Sequence, residues 1–388
     1  SPDAVTPGAA AFDSHYVDVD ANSGALGATL ALPSYNSNVA PLVFQYDSTA
    51  ADPRPLIVVH HPLDPALSTP SKTSVQLTFN GSAGSPYYYA TSAFNPGDYA
   101  QFAVQADATG LATGRYSYST QVVDYRATNT TATESGTVTV VDAADAPFGA
   151  IGQGWSIQGL NRIVSATGGV ILDTGSNDRL WFATAGGSGG SGGSTSYTSP
   201  AGDFSVLVQN PSGTYTRTLK DGTKQEFDAG GYETAAVDRN NLRITYTYDG
   251  SQKLINLTDP YGKVTTLGYD ANNKLQTVED PAGRVTTITH SGGTLTGAVL
   301  PDDGTWSYAY DGSGRMTSVT DPRSKVVTAA YDAASRVGTI TRPDATTQAF
   351  NAYQERGYDT SGTSGSPAAA ILLAEAKEIG RASCRERV

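Results

Sequence analysis

The sequence predicts an all-β protein in three parts: opening β-hairpins, an Ig-like β-sandwich and a long array of β-hairpin repeats. Three observations carry this. Of 388 residues 38% are apolar and only 16% charged, with 42 Gly and 22 Tyr, a composition poor in helix formers and rich in strand and turn formers. Short β-branched runs separated by turn residues fill the first third of the chain. From about Lys220 to Phe350 the sequence repeats every 20 or 21 residues, the mark of a wound or stacked array.

The opening segment, residues 1–50, contains Tyr16-Val-Asp-Val-Asp20, a turn around Asn22-Ser-Gly24, and an apolar run to Leu32, which reads as a β-hairpin. Asp18, Asp20 and Asn22 stand at the spacing of a calcium loop. However, Gly24 is one place late and Thr29 stands where a ligating Glu belongs, so a plain turn is the better reading.

Residues 51–145 carry strand-like runs at Pro55–Val59, Ser74–Phe79, Tyr99–Gln105, Tyr116–Val123 and Gly136–Val141, with turns such as Asn80-Gly81 between them. That is the pattern of a two-sheet sandwich. Adjacent His60 and His61 point to opposite faces of a strand, so a structural or solvent role is expected rather than a shared metal.

Residues 146–216 form a Gly-rich connector. Trp155, Ile157, Leu160 and Ile163 offer a face for burial, and Gly169–Gly175 with Asp178–Phe182 reads as a hairpin. The connector lacks the order of a phosphate-binding loop. The Gly/Ser run 186–194 holds two formal Gly-x-Ser-x-Gly matches, at Ser188 and Ser191, but a nucleophile elbow needs a strand before it and a helix after it. A flexible loop is expected.

The array occupies residues 217–353. Pro260, Pro281, Pro301, Pro322 and Pro343 fall 21, 20, 21 and 21 residues apart, and between them stand Tyr248-Asp249, Tyr269-Asp270, Tyr310-Asp311 and Tyr331-Asp332. Phe227-Asp228 lies one period earlier, and His290-Ser291 marks a degenerate copy. Each repeat holds two strands and two turns, with Asp-Pro-x-Gly as one turn: Pro presets φ, Gly takes positive φ, and Asp bonds the backbone ahead of it. Leu254, Leu275, Leu295, Met316 and Val337 form one filled column. The tyrosines form a second column, stacked along the ladder. Lys253, Lys274, Arg315 and Arg336 are placed to lie over these rings or to pair with the aspartates.

This pattern, Tyr-Asp-x-x-x-Lys/Arg-Leu followed by Asp-Pro-x-Gly-Lys/Arg-Val-Thr, resembles the YD repeat of Rhs proteins, teneurins and toxin-complex shells. Val43-Phe-Gln-Tyr46-Asp-Ser and Pro147-Phe-Gly through Leu160 are similar to the N-terminal region of bacterial Rhs-like proteins. The resemblance implies a β shell around a C-terminal toxin or effector, a secreted or cell-surface location, and partners in the rest of the chain. It also implies fewer repeats here than a closed shell needs, and so an N-terminal fragment.

Other readings follow from charge and chemistry. A net charge of −12 argues against nucleic acid as a partner, and no run is long and apolar enough for a membrane span. Cys384 is the only cysteine, so no intrachain disulfide is expected. Residues 354–376 read as a truncated continuation. Residues 377–388 share nothing with the repeat, and read either as translated vector sequence or as a short natural helix.

No cofactor, metal or catalytic residue is expected. The repeat acids are explained as turn residues, which leaves a carboxylate-pair glycosidase without support. The runner-up to a structural role is a carbohydrate-binding surface, with glycans or cell-surface molecules as its partners. Its candidate contacts are Tyr248, Asp249, Tyr269, Asp270, Tyr310, Asp311, Tyr331 and Asp332.

Overall fold

The computed structural model describes residues 10–13, 16–20, 24–35, 41–92, 94–142, 149–175, 179–185, 193–332 and 335–350. The Gly/Ser stretch 186–192, the first residues of the Pro147 motif, Asn22, the continuation 354–376 and the tail with Cys384 lie outside them. Among the described residues the only helix is Ser48–Ala51, opened by Asp47, whose carboxylate accepts from the Thr49 N–H.

The N-terminal sheet has five strands in the order Ala10–Asp13, Val17–Asp20, Leu26–Ala31, Val43–Asp47 and Trp155–Ile157. Its strands alternate as expected for one buried face: Val17, Val19, Leu26, Ala28, Leu30, Phe44 and Tyr46 are all buried. The expected hairpin of the opening segment is thus present. Its sheet is completed by a strand from the connector, more than a hundred residues on.

The sandwich comprises a two-stranded sheet, Leu56–Pro62 with Tyr99–Gln105, facing a sheet in which Thr130–Val140, Gly114–Tyr125 and Lys72–Phe79 pair in turn. Ser82–Ala83 and Tyr87–Tyr89 complete it along Lys72–Phe79. Ile57, Val59, Phe102 and Val104 meet Val75, Leu77 and Val122 in its core. The Asn80-Gly81 turn has positive φ at both positions, the geometry that favours this dipeptide in tight hairpins. His61 is buried, with Nε2 3.0 Å from Asp124 Oδ2, and Thr73 and Arg126 satisfy the same carboxylate. His60 is exposed.

One expected boundary moves. The strand read from Gly136 begins at Thr130. Gly136 pairs with Tyr118, whose ring occupies the place a Cβ would take, so this glycine continues the strand by making room for an aromatic neighbour.

The third unit is one antiparallel sheet of 19 strands running from Arg162–Ala166 to Thr347–Ala349. The Tyr-Asp spacing marks only its second half. In the first half Ile163, Val170, Leu172, Phe182, Leu207, Tyr215 and Phe227 share one core. The first strand closes back on the chain through an Arg162–Tyr232 bridge and the Ile163 N–H to Gly231 carbonyl bond of 2.8 Å. The sheet therefore makes one tight winding before it opens into the regular repeats.

Both turns of a repeat use the same device. The Asp carboxylate accepts from the amides two and four residues ahead, as Asp249 does from Ser251 and Lys253 and Asp259 does from Tyr261 and Lys263. The residue three places after each Asp takes positive φ. Gly262, Gly283 and Gly314 do so freely, whereas Gln252, Asn273 and Ser324 do so against their side chains, as does Ala345 in the corresponding turn that opens on Arg342. Ser324→Gly and Ala345→Gly are therefore expected to stabilise the chain by about 0.5–1 kcal/mol each, after the entropy of glycine is deducted. Urea midpoints check this, and a loss of stability at both sites would contradict the turn assignment.

Candidate functional site

The inner face of the repeats is the place where the chain's recurring side-chain columns meet another unit. The column Leu254, Leu275, Leu295, Met316 and Val337 is at most 3% exposed. It shares a single core with Val17, Leu30, Phe44, Tyr46, Ile151, Trp155 and Ile157 of the N-terminal sheet and connector. The open half of the winding is thus packed by the strands of the N-terminal sheet and by the connector.

The contact is polar as well as apolar, and it follows the repeat. At each Tyr-Asp turn a β-bulge shifts the ladder next to the apolar column. At three of these four turns the column amide finds an acceptor outside the array. Leu275 N donates to the Ala150 carbonyl (3.1 Å), Met316 N to the Tyr46 hydroxyl (2.8 Å) and Val337 N to the Gly24 carbonyl (2.9 Å). A buried amide left without a partner costs about 1–3 kcal/mol, so three such bonds set the register of the packing. Gly152 approaches closely enough that a Cβ would lie 2.9 Å from the Leu295 amide, and its φ is +142°; only glycine fits this position comfortably.

The candidate tyrosines belong to this architecture. Tyr269, Tyr310 and Tyr331 each donate to the column carbonyl 15 residues earlier, at Leu254, Leu295 and Met316 (2.5, 2.6 and 2.7 Å). Burial pushes these phenols well above their ordinary value. Instead of the expected stacking on one another, Tyr310 takes a ring contact with Tyr46 and Tyr248 one with Tyr232. Lys253 and Arg315 lie over the rings of Tyr269 and Tyr331, and Lys253, Arg315 and Arg336 also pair with Asp249, Asp311 and Asp332. The backbone amides of Lys253 and Lys274 hold the Asp249 and Asp270 carboxyls below the usual range. Asp311 is also lowered: burial opposes this, but Arg315 and the turn amides outweigh it.

His290, in the degenerate copy, shows why the pattern breaks there. It stands where a tyrosine would reach the Leu275 carbonyl, but its Nε2 lies 2.6 Å from the Ile151 carbonyl. The connector enters at this repeat. Two aromatic clusters flank it. Trp155 is 1% exposed, packs edge-on to Tyr308 (5.1 Å) and donates Nε1 to the Tyr310 hydroxyl (2.8 Å). Tyr16 packs edge-on to Trp306 (5.0 Å). At the rim, Asp52 accepts from Ser335 (2.8 Å), which in turn accepts from Arg315 (2.8 Å).

Two further groups had no sequence signal. Tyr35 donates to Asp259, a contact between chain segments whose spacing says nothing of one another. Glu233 is fully buried at the closing seam of the first winding. Its Oε2 accepts from the Asn161 backbone and side-chain N–H groups (2.6 and 2.8 Å), and its Oε1 has no partner among the described residues. Burial pushes its carboxyl up to about 8, against the Asn161 bonds and the more distant Arg217. Among the described residues no group of three or more His, Cys, Asp or Glu could hold a metal, and no helix is long and apolar enough to cross a membrane.

Fold and site together define an all-β repeat protein whose repeat sheet is packed from within by its own N-terminal segment. Residues 248–285, 280–326 and 310–347 match the RHS Repeat family, so the regular half of the array is made of RHS repeats. A search of curated proteins finds no match. Among solved structures, TcdB2-TccC3-TEV aligns with 84% of this chain and 19% of its own at 9% identity and a TM-score of 0.23. The Photorhabdus luminescens Tc holotoxin pore aligns with 81% of this chain and 16% of its own at 13% identity and a TM-score of 0.22. A cycloalternan-forming enzyme from Listeria monocytogenes, in complex with a pentasaccharide substrate, aligns with 62% of this chain and 20% of its own at 13% identity and a TM-score of 0.18. This chain spans about one fifth of the length of each structure or less.

Proposed function

We propose that this chain is a non-enzymatic structural and interaction protein: a stretch of RHS-repeat wall, capped from within by its N-terminal sheet, that belongs to a shell around an effector or toxin. The single observation that carries the reading is the shared core between the repeat columns and the N-terminal sheet. A catalytic cleft leaves chemistry exposed on an inner surface, whereas here most of the inner surface is taken up by packing. The last strand, Thr347–Ala349, pairs on one side only among the described residues, and such an edge is a template for a further strand. That makes further repeats the natural partner of this segment; the secreted or cell-surface location we propose rests on the RHS-repeat match alone.

Cryo-electron microscopy of the full gene product checks the reading. A continuous β wall around an enclosed polypeptide supports it, and an open array with nothing inside overturns it. The carbohydrate reading of Tyr248, Asp249, Tyr269, Asp270, Tyr310, Asp311, Tyr331 and Asp332 asks these groups to leave the partners described above. Glycan-array binding that disappears on Tyr269→Ala or Tyr331→Ala would carry it instead.

A further inference from the structure

One part of the inner face is not filled. A cavity of about 240 Å³ lies between residues 32–35 and 41–42 on one side and the repeats that precede His290 on the other. Leu42, Ile157, Tyr246, Leu257 and Val278 make it apolar. The void is written into the repeat. One inward column runs Ile244, Thr265, Thr286, Trp306 and Val327, at intervals of 21, 21, 20 and 21 residues. Where the column carries Trp306, Tyr16 packs edge-on against it. One and two repeats earlier the same column carries threonine, and both Thr265 and Thr286 line the cavity.

The mouth is charged, and its charges are unequal in availability. Asp280 is held by two turn amides and by the Arg284 guanidinium, which also reaches the Pro33 carbonyl (3.4 Å). Asp259 is held by its own turn amides and by Tyr35. Lys263 is exposed; its charge reaches the Asp259 carboxylate and helps to lower it, but its ammonium makes no hydrogen bond or salt bridge with the described residues. The one charged group at the mouth without a direct hydrogen bond to its charged end is therefore positive.

We infer that this cavity is a binding site for a small amphipathic anion, with an apolar body lying against Leu257, Val278 and Thr286 and a carboxylate-type head on Lys263. A pocket of this make-up, apolar walls with a few polar groups gathered at the mouth, is the ordinary form of a small-molecule site.

Calorimetric titration of the whole chain with octanoate, octanol and octylammonium tests it. Octanoate is expected to bind more tightly than either of the others. Thr286→Trp, which places in this repeat the side chain the column carries at Trp306, should weaken octanoate at least about tenfold by filling the void. Lys263→Gln should weaken octanoate about fivefold and leave octanol unchanged. Thr265→Trp serves the same purpose if Thr286→Trp does not fold, as judged by circular dichroism. Octanoate binding that is absent in the unaltered chain, or equal in the filled variant, overturns the site. Equal binding of all three probes overturns the anionic class.

Discussion

Trp155→Ala is expected to destabilise the chain by about 3–5 kcal/mol, the range for truncating a large buried aromatic. Three effects act together at this residue. Its ring fills the space between Tyr46 and Tyr308, with centroids at 5.6 and 5.1 Å, and neither neighbour can move inward to close the gap without leaving its own contacts. The indole N–H is the donor to the Tyr310 hydroxyl, which itself donates to the Leu295 carbonyl, so removal breaks a chain of two bonds that crosses from connector to array. The strand Trp155–Ile157 is also the edge of the N-terminal sheet. Equilibrium urea unfolding followed by far-ultraviolet circular dichroism measures the loss. Tyr261→Ala is the control: Tyr261 is 73% exposed on a repeat turn, and its removal should change stability by no more than about 0.5 kcal/mol. A Trp155→Ala loss as small as that of the control would mean that the connector does not hold the two units together.

Glu233→Gln is expected to raise stability at pH 8 by roughly 3–5 kcal/mol and to flatten its pH dependence, and the direction follows from linkage. The folded carboxyl titrates at about 8 against an ordinary value of 4.5. Between these values the unfolded chain has lost the proton and the folded chain keeps it, so stability falls as pH rises through the interval. Each pH unit of that interval is worth about 1.4 kcal/mol at most. Gln keeps the carbonyl that accepts from Asn161 and carries no charge at any pH. Below about pH 4 the two proteins should therefore be similar, and they should diverge steadily up to about pH 8. Thermal unfolding at pH 4, 6 and 8 reads the difference. Parallel pH profiles would show that Glu233 ionises freely, and that the seam of the first winding is open to water.

Much of the array was legible in its sequence because each column is a local property. The 20–21 residue spacing places Leu254, Leu275, Leu295, Met316 and Val337 on one face whatever lies opposite. The Asp-Pro-x-Gly and Tyr-Asp turns are specified by the preferences of four consecutive residues. What covers that face was not legible. Tyr46 and Met316, or Gly24 and Val337, meet across most of the chain, and no pattern in either segment names the other. The role of the tyrosines was half visible. Their period indicated a column, but the bond to a carbonyl 15 residues back depends on the bulge, which a pattern of side chains does not announce. His290 is the instructive case. As a departure from the period it looked like decay of a repeat, and it is the repeat that receives the connector. The same holds for Thr265 and Thr286, which read as ordinary strand residues until Trp306 shows what the column holds when it is full. The first winding carries no Tyr-Asp pairs, so the sheet's true start at Arg162 left no trace in the period.

Native-state hydrogen exchange tests most directly whether the N-terminal sheet and the RHS repeats form one cooperative unit. Amides of Leu26–Ala31, Val43–Asp47 and Trp155–Ile157 should exchange with the same free energy as those of Leu275–Glu279 and Met316–Thr320, within about 1 kcal/mol, since buried elements that share a core open together. If instead the N-terminal strands exchanged through a separate, low-energy opening while the repeats stayed protected, the sheet would be a loosely docked neighbour, and the account of a wall packed from within would be wrong.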